Sequence, residues 1–171
     1  KGVMDDSVRA AMAKWPNVPD VFGWLRLDGR GQWWIQNQRL SHPAMIEFIQ
    51  RNYAQDRQGR AFFQNGPQRV YVELEVAPWI WRLHRADQGL ILRSHIGMQH
   101  PLAEVQQAVM DEQGRLYLLL PQGLGMVHSL DMLDAANALD RGVLPQLQEA
   151  DSALLPLQFG FVLSPQTRQV G

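Results

Sequence analysis

Apolar and polar side chains alternate along RAFFQNGPQRVYVELEVAPWIWRLHR, residues 60–85, the densest block of strand-forming residues in the chain. Asn65-Gly66 sits between two runs rich in aromatic and β-branched residues and predicts a hairpin with a type I′ turn, whose two central residues both need positive φ. The incoming strand covers about 60–64 and the outgoing one about 69–76. Val70, Val72, Leu74 and Val76 then point to one face; Arg69, Tyr71, Glu73 and Glu75 point to the other. A period of two places a core on the first face and a wet or half-buried surface on the second. Pro78 cannot donate to a strand ladder and marks a break. Beyond it Trp79, Trp81 and Leu83 alternate with Ile80, Arg82 and His84, which carries apolar surface to both faces. The block reads as three consecutive antiparallel strands at the centre of a sheet.

The flanking chain fills in the rest. Asp5, Asp6 and Ser7 open a short helix to about Lys14, its stripe being Val8, Ala11, Met12 and Trp15, with the cap from Ser7 or Asp6. Pro16 and Pro19 end it. Residues 22–28 and 32–36 form a hairpin around Gly29-Arg30-Gly31 and bring Trp24, Trp33 and Trp34 together. Ser41-His42-Pro43 starts a second helix, since proline suits the first helical position; Met45, Ile46, Phe48, Ile49 and Tyr53 give its core-facing stripe. Residues 90–94 and 115–120 read as strands, 95–101 as irregular and 102–110 as a strand. Ser129 or Asp131 opens a third helix, with Leu130, Leu133, Ala136 and Leu139 as its stripe and Arg141-Gly142 as its stop. From Val143 onward three prolines, Pro145, Pro156 and Pro165, predict an extended tail on the core, with a frayed end.

Asp-x-x-Gly-x-x-aromatic occurs three times, at 28–34, 56–62 and 111–117. Each is a turn that feeds a strand. The first and third are each followed by a helix, so a hairpin–helix unit occurring twice is one reading. The other is that tight turns simply need Asp and Gly. The fold class that results is α+β: mainly antiparallel sheet of consecutive hairpins, with two to three helices packed on it. A length of 171 residues suits one domain, 1–171, with two lobes, 1–78 and 79–171, as the alternative division.

Composition removes several function classes. A net charge of −1 with scattered arginines and only two lysines lacks the basic footprint of a nucleic-acid binder. With no cysteine there are no disulfides and no thiolate metal sites. No apolar run is long enough to span a bilayer, and the first residues have no signal-peptide pattern. The expectation is a soluble cytoplasmic protein that binds neither membrane nor nucleic acid and holds no cofactor or metal.

Three runs, WPNVPDVFGWLRLDGRGQWW, AFFQNGPQRVYVELEVAPWIWRL and GLGMVHSLDML, resemble an uncharacterised proteobacterial family of the domain-of-unknown-function type. The order of elements is more distantly similar to a second bacterial family. In that family an Asp-x-x-Gly-x-Trp hairpin precedes a helix, a strand ends in acid-x-x-Pro, and His-Pro-Leu precedes the last hairpin. The matching residues here are Asp28, Gly31 and Trp33 or Trp34; Glu75 and Pro78; and His100, Pro101 and Leu102. Where the second family has two acids before Ala-Pro, this chain has Glu75-Val76. The resemblance implies an α+β fold with repeated hairpin–helix motifs and a regulatory or ligand-sensing role. It carries no reaction and so no catalytic residue.

The residues themselves offer few chemical constellations. Glu73 and Glu75 share a strand face with Arg69 and Tyr71, an arrangement that serves either acid–base chemistry or ordinary cross-strand ion pairs. His84, His95 and His100 lack any known zinc-ligand spacing. Ser94-His95 and His128-Ser129 are adjacent pairs without a nucleophile elbow. Gly123-Leu124-Gly125 precedes a helix start, as a phosphate cradle does, but the third glycine of a dinucleotide fingerprint is missing and no P-loop lysine follows; a tight turn is the favoured reading. The aromatic set of Trp24, Trp33, Trp34, Trp79 and Trp81 lines either a core or a pocket. The weight falls on a non-enzymatic module that binds a small ligand or a protein in a regulatory or sensing role. Its candidate ligand-binding residues are Arg69, Tyr71, Glu73, Glu75, Trp79, Arg82, Trp34 and His100. The alternatives are a small enzyme using Glu73 or Glu75 with Arg69 or a histidine, and a homodimeric interaction protein.

Overall fold

Alternating stretches become strands in the computed structural model, which describes residues 4–15 and 17–166. The frayed terminus expected of the tail lies outside the described residues. The chain divides into two compact units: residues 1–28, 32–75 and 161–171, and residues 29–31 with 76–160. Each is built on its own sheet.

The first unit holds β1 (Val21–Leu27), β2 (Trp33–Ile35), β3 (Gln38–Arg39), β4 (Tyr53–Gln55), β5 (Ala61–Asn65) and β6 (Gln68–Leu74), with helices α1 (Asp6–Lys14) and α2 (Pro43–Arg51). Its strand order is β3-β2-β1-β6-β5-β4. Two antiparallel meanders, β1–β3 and β4–β6, meet along a parallel seam between β1 and β6. The second unit holds β7 (Trp79–Ala86), β8 (Gly89–Ser94), β9 (Gln99–Pro101), β10 (Gln107–Met110), β11 (Leu116–Leu120), β12 (Gly123–Val127) and β13 (Leu147–Glu149), with helices α3 (Met132–Asp140) and α4 (Leu155–Phe159). Its order is β13-β10-β11-β12-β7-β8-β9. Meanders β7–β9 and β10–β12 again meet along a parallel seam, now between β7 and β12, and β13 adds a parallel edge. Strand for strand, β7–β12 repeat the order and direction of β1–β6.

This repeat has a different frame from the hairpin–helix unit suggested by the sequence. The turns that correspond are at Asp56 and Asp111, each the first turn within the second meander of its unit. Asp56 Oδ1 accepts from Gln58 N and Arg60 N at 2.9 and 3.0 Å, and Oδ2 accepts from Arg60 Nε at 2.7 Å and from the Tyr71 hydroxyl at 3.3 Å. Asp111 makes the same set with Gln113 N, Arg115 N, Arg115 Nε and the Tyr117 hydroxyl, at 2.9, 3.0, 2.7 and 2.8 Å. The Asp28 turn shares only part of it, bonding Gln32 N at 2.9 Å and Trp34 Nε1 at 2.8 Å. The glycine of each motif has φ near 80°, at 79° for Gly31 and Gly59 and 77° for Gly114, a backbone that glycine adopts without strain.

Several sequence expectations are corrected. The three-strand block at 60–85 is split: β5 and β6 pair antiparallel in the first sheet, while β7 belongs to the second. Glu75 to Pro78, with no ladder donor at Pro78, is where the chain leaves one sheet for the other. The hairpin turn is Gly66-Pro67, because Asn65 pairs with Gln68. Gly66 has φ 56°, and proline is locked at negative φ, so two positive values in a row are excluded. Residues 99–101 are a strand rather than irregular, and 102–104 form a 3-10 turn ahead of β10. The tail from Val143 contains β13 and α4. Ser7 and Asp6 do not cap α1; its N-cap is Asp5, whose carboxylate bonds Arg51 Nε and Nη2, both at 3.2 Å.

The third helix also turns a different face inward. Leu130 and Leu133 are 75% and 83% exposed, whereas Ala135 and Ala138 are buried. The rotation is set by Asp131, whose carboxylate takes Arg82 Nε at 2.6 Å, Arg82 Nη2 at 3.1 Å and Leu83 N at 3.0 Å. Replacing Asp131 by alanine strands the Leu83 N–H; we expect a loss of about 2 kcal/mol in chemical unfolding.

Candidate functional site

The odd-numbered side chains of β6 form the nominated surface in the first unit, and the structure brings five of the eight candidates there. Three of the four inward residues are as expected, Val70, Val72 and Leu74 being buried at 5% exposure or less; β6 ends at Leu74, and Val76 is half-buried and belongs to the second unit. The outward set is less wet than the alternation implied, since Tyr71 is only 1% exposed. Its ring stacks on Phe22, with centroids 4.7 Å apart and planes 7° from parallel. Phe62, in register with Tyr71 on β5, meets it edge-on.

Guanidinium groups cap the rings of this face. Arg69 lies 3.9 Å from the Phe62 centroid, Arg60 4.4 Å from Tyr71, and Arg26 4.9 Å from Trp34. Rings attract cations through their quadrupoles, so each contact is favourable even where water reaches it. Arg60 is also paired to Asp56, and Arg26 to Glu75 at 3.2 Å. Burial alone raises the Asp56 carboxyl, but the bonds from Arg60 and Gln58 outweigh it and hold the group below the ordinary carboxylate range.

Glu73 is different. Arg26 is its cross-strand partner in register, yet that guanidinium goes to Glu75. Glu73 Oε1 instead accepts from the Ser164 hydroxyl at 2.6 Å. Its Oε2 is sealed from solvent and has no hydrogen-bond partner among the described residues. Ser164 belongs to the segment 161–166, which returns to the first unit: Leu74 N donates to Leu163 O at 2.8 Å and Val162 N to Gly59 O at 3.1 Å. Nothing in the sequence pattern signalled that a residue 91 positions away would reach Glu73.

The other three candidates belong to the second unit, each engaged there. Trp79 stacks on Trp81 at 6.0 Å, and Arg82 holds Asp131. His100 Nδ1 lies 3.1 Å from Glu104 Oε1 and its Nε2 2.8 Å from Gln122 Nε2. Among the described residues no group of three His, Asp or Glu side chains is placed to hold a metal. Gly125 cradles nothing: it is buried within β12, opposite Trp79 in register and under Trp81.

His95 Nδ1 accepts from Ile80 N at 3.3 Å, which places the ring proton on Nε2. Part of the residue is accessible, but Nε2 is sealed, and burial pushes the imidazole down to about 3. Below pH 6.5 the unfolded chain takes up a proton that the native protein refuses. Stability therefore falls as pH drops from about 6.5 towards 3, by up to ~1.4 kcal/mol per pH unit. Urea midpoints across that range should fall for the native chain and flatten for His95→Gln.

A groove of about 800 Å³ opens in the second unit between the β7–β8 turn, the 3-10 turn Leu102–Glu104 and the C-terminal half of α3. Leu90, Leu102 and buried Ala138 form its floor; Arg85, Asp87, Asp134 and Arg141 stand around it. Arg85 Nη2 and Asp134 Oδ1 form a long ion pair, 3.9 Å apart, on the exposed rim. Sequence reasoning missed this site because its residues come from two turns and a helix that are far apart in the chain, none of which carries a motif.

Among the described residues no helix is long and apolar enough to cross a membrane. No curated protein matches the sequence. Two solved structures share the fold. A DUF1285 family protein from Shewanella baltica OS155 is 18% identical, with a TM-score of 0.54 over 71% of this chain and 96% of its own. A second, from Silicibacter pomeroyi DSS-3, is 16% identical, with a TM-score of 0.55 over 79% of this chain and 85% of its own. At that identity the likeness speaks for the fold alone. Residues 4–166 match the DUF2944 family, described as a protein of unknown function (DUF2946), and the chain belongs to that family.

Proposed function

We propose that the chain is a small-ligand-binding module of a regulatory or sensing kind rather than an enzyme. The observation that supports it is the groove over Leu90, Leu102 and Ala138. Its apolar floor and its rim of both charge signs suit a molecule with an apolar body and a polar end. The nominated carboxylates favour binding over acid–base catalysis for a physical reason. Acid–base chemistry needs a pair in contrasting environments with a substrate between them; here Glu75 is tied to Arg26 and Glu73 to Ser164.

A thermal-shift screen against pooled metabolites tests the reading. A stabilising compound should raise the melting temperature of the native chain by several degrees, as ligand present at about 100 times its dissociation constant adds ~2.7 kcal/mol. The Arg85→Ala, Arg141→Ala double variant should lose that shift while melting normally on its own. If every hit acts equally on both chains, the groove is not the site.

A further inference from the structure

The outward face of the first sheet repeats one arrangement, a ring with a guanidinium over it. Phe62 has Arg69, Tyr71 has Arg60 and Trp34 has Arg26. Two of these guanidiniums are answered by carboxylates, Asp56 and Glu75, and the third, that of Arg69, by the Tyr71 hydroxyl at 3.5 Å. One ring and one carboxylate on the same face fall outside the pattern. Phe22 is stacked on Tyr71 by one side and is 37% exposed, with no cation over it among the described residues. Glu73, two positions beyond Tyr71 on the same strand face, has the unclaimed Oε2. Two positions along a strand separate Tyr71 from Glu73 by about 7 Å, and Phe22 lies against Tyr71 on that face.

From this geometry we propose that Phe22 and Glu73 form a binding site for a guanidinium group brought by a ligand. The planar cation lies on the outer side of the Phe22 ring, and its N–H groups donate to the Glu73 carboxylate. A sealed carboxylate oxygen with no donor is costly to keep; a guanidinium supplies two parallel donors and the opposite charge at once. An ammonium lacks the flat face and the fork. The Ser164 hydroxyl is the donor that now holds the other oxygen, and the segment 161–166 is the cover over it. Gln166 lies against Gly23, where an added Cβ would come within 2.6 Å of its Nε2. Ligand entry therefore displaces Ser164 and competes with that segment. This site lies in the first unit and is independent of the groove.

Two carriers share the chemistry, a free guanidino compound and an arginine side chain in a peptide. The test titrates agmatine and the peptide acetyl-Gly-Arg-Gly-amide into the full chain at constant ionic strength, with n-butylamine as the ammonium control. We expect saturable binding of one or both guanidinium probes, and at least about five-fold weaker binding of n-butylamine. Binding of agmatine alone assigns a free compound; tighter binding of the peptide assigns an arginine side chain. Glu73→Gln should weaken binding by about ten-fold or more. Phe22→Ala, which changes an exposed ring, provides a second reading should Glu73→Gln fail to fold. Ser164→Ala should bind more tightly than the native chain, because it removes the competing donor; a purely structural latch predicts no such gain. The proposal is overturned by the absence of saturable binding of either guanidinium at about 10 mM, by equal affinity for n-butylamine, or by undiminished binding in both the Glu73 and Phe22 variants.

Discussion

Gly125→Ala lowers the stability of the second unit by about 3 kcal/mol, the upper range for forcing a group into a filled core. A Cβ at residue 125 would collide with Trp81 Nε1 and come within 2.6 Å of Trp81 Cε2 and 2.7 Å of Trp79 Cβ. Neither indole can withdraw. Trp81 is fully buried, its Nε1 donates to Leu118 O at 3.0 Å across the neighbouring strand, and Trp79 is stacked against it. The added methyl must therefore push β12 away from β7 along their parallel seam, or break the Trp81 hydrogen bond. Gly125→Val should be worse. Unfolding followed by tryptophan fluorescence measures both; a change of under half a kilocalorie would mean that the indoles do not lie across Gly125.

Asp111→Ala is expected to cost about 3 kcal/mol, since breaking a buried ion pair costs 3–5 and Arg115 is part-exposed. The Asp111 side chain has no exposed surface. Its burial alone raises the carboxyl, but bonds from Arg115, Tyr117 and Gln113 outweigh that and hold it below the ordinary range. A carboxyl with a depressed native value stabilises above its unfolded value of 3.8. That contribution is lost as pH falls through the native value. Burial works on Tyr117 in the other direction, raising its hydroxyl well above the ordinary phenol range, so it stays a donor to Asp111 at any physiological pH. Asp56→Ala should act in the same direction with a smaller effect, because its side chain is 11% exposed and its tyrosine bond is longer. Equal unfolding midpoints for the Asp111 variant and the native chain would refute the role given to this turn.

The sequence was most legible where the backbone alone decides. Period-two alternation found β6 and its buried valines, proline at the first position found α2, and Asp-x-x-Gly found three turns. It was least legible where a distant residue decides. Leucines at helical spacing suggested one face of α3, but a buried Asp131 bonded to Arg82 rotated the other face inward. Alternation on both sides of Pro78 suggested one sheet, because strand pattern does not record which partner a strand takes. Pro67 follows Asn65-Gly66 and excludes two positive φ values in a row, which places the turn one residue later than Asn-Gly alone suggests. Of the nominated surface, the sequence supplied Glu73 and its face, but not Ser164 or the ring beneath each guanidinium.

β7–β12 repeat the strand order of β1–β6, with one parallel seam in each unit. Interstrand nuclear Overhauser effects across those seams test it most directly. Backbone contacts are expected between Leu25 and Val72 and between Arg26 and Glu73 in the first unit, and between Ile80 and Met126 in the second, all in the parallel pattern. Antiparallel contacts at either seam, or β6 found beside β7 in one sheet, would contradict it.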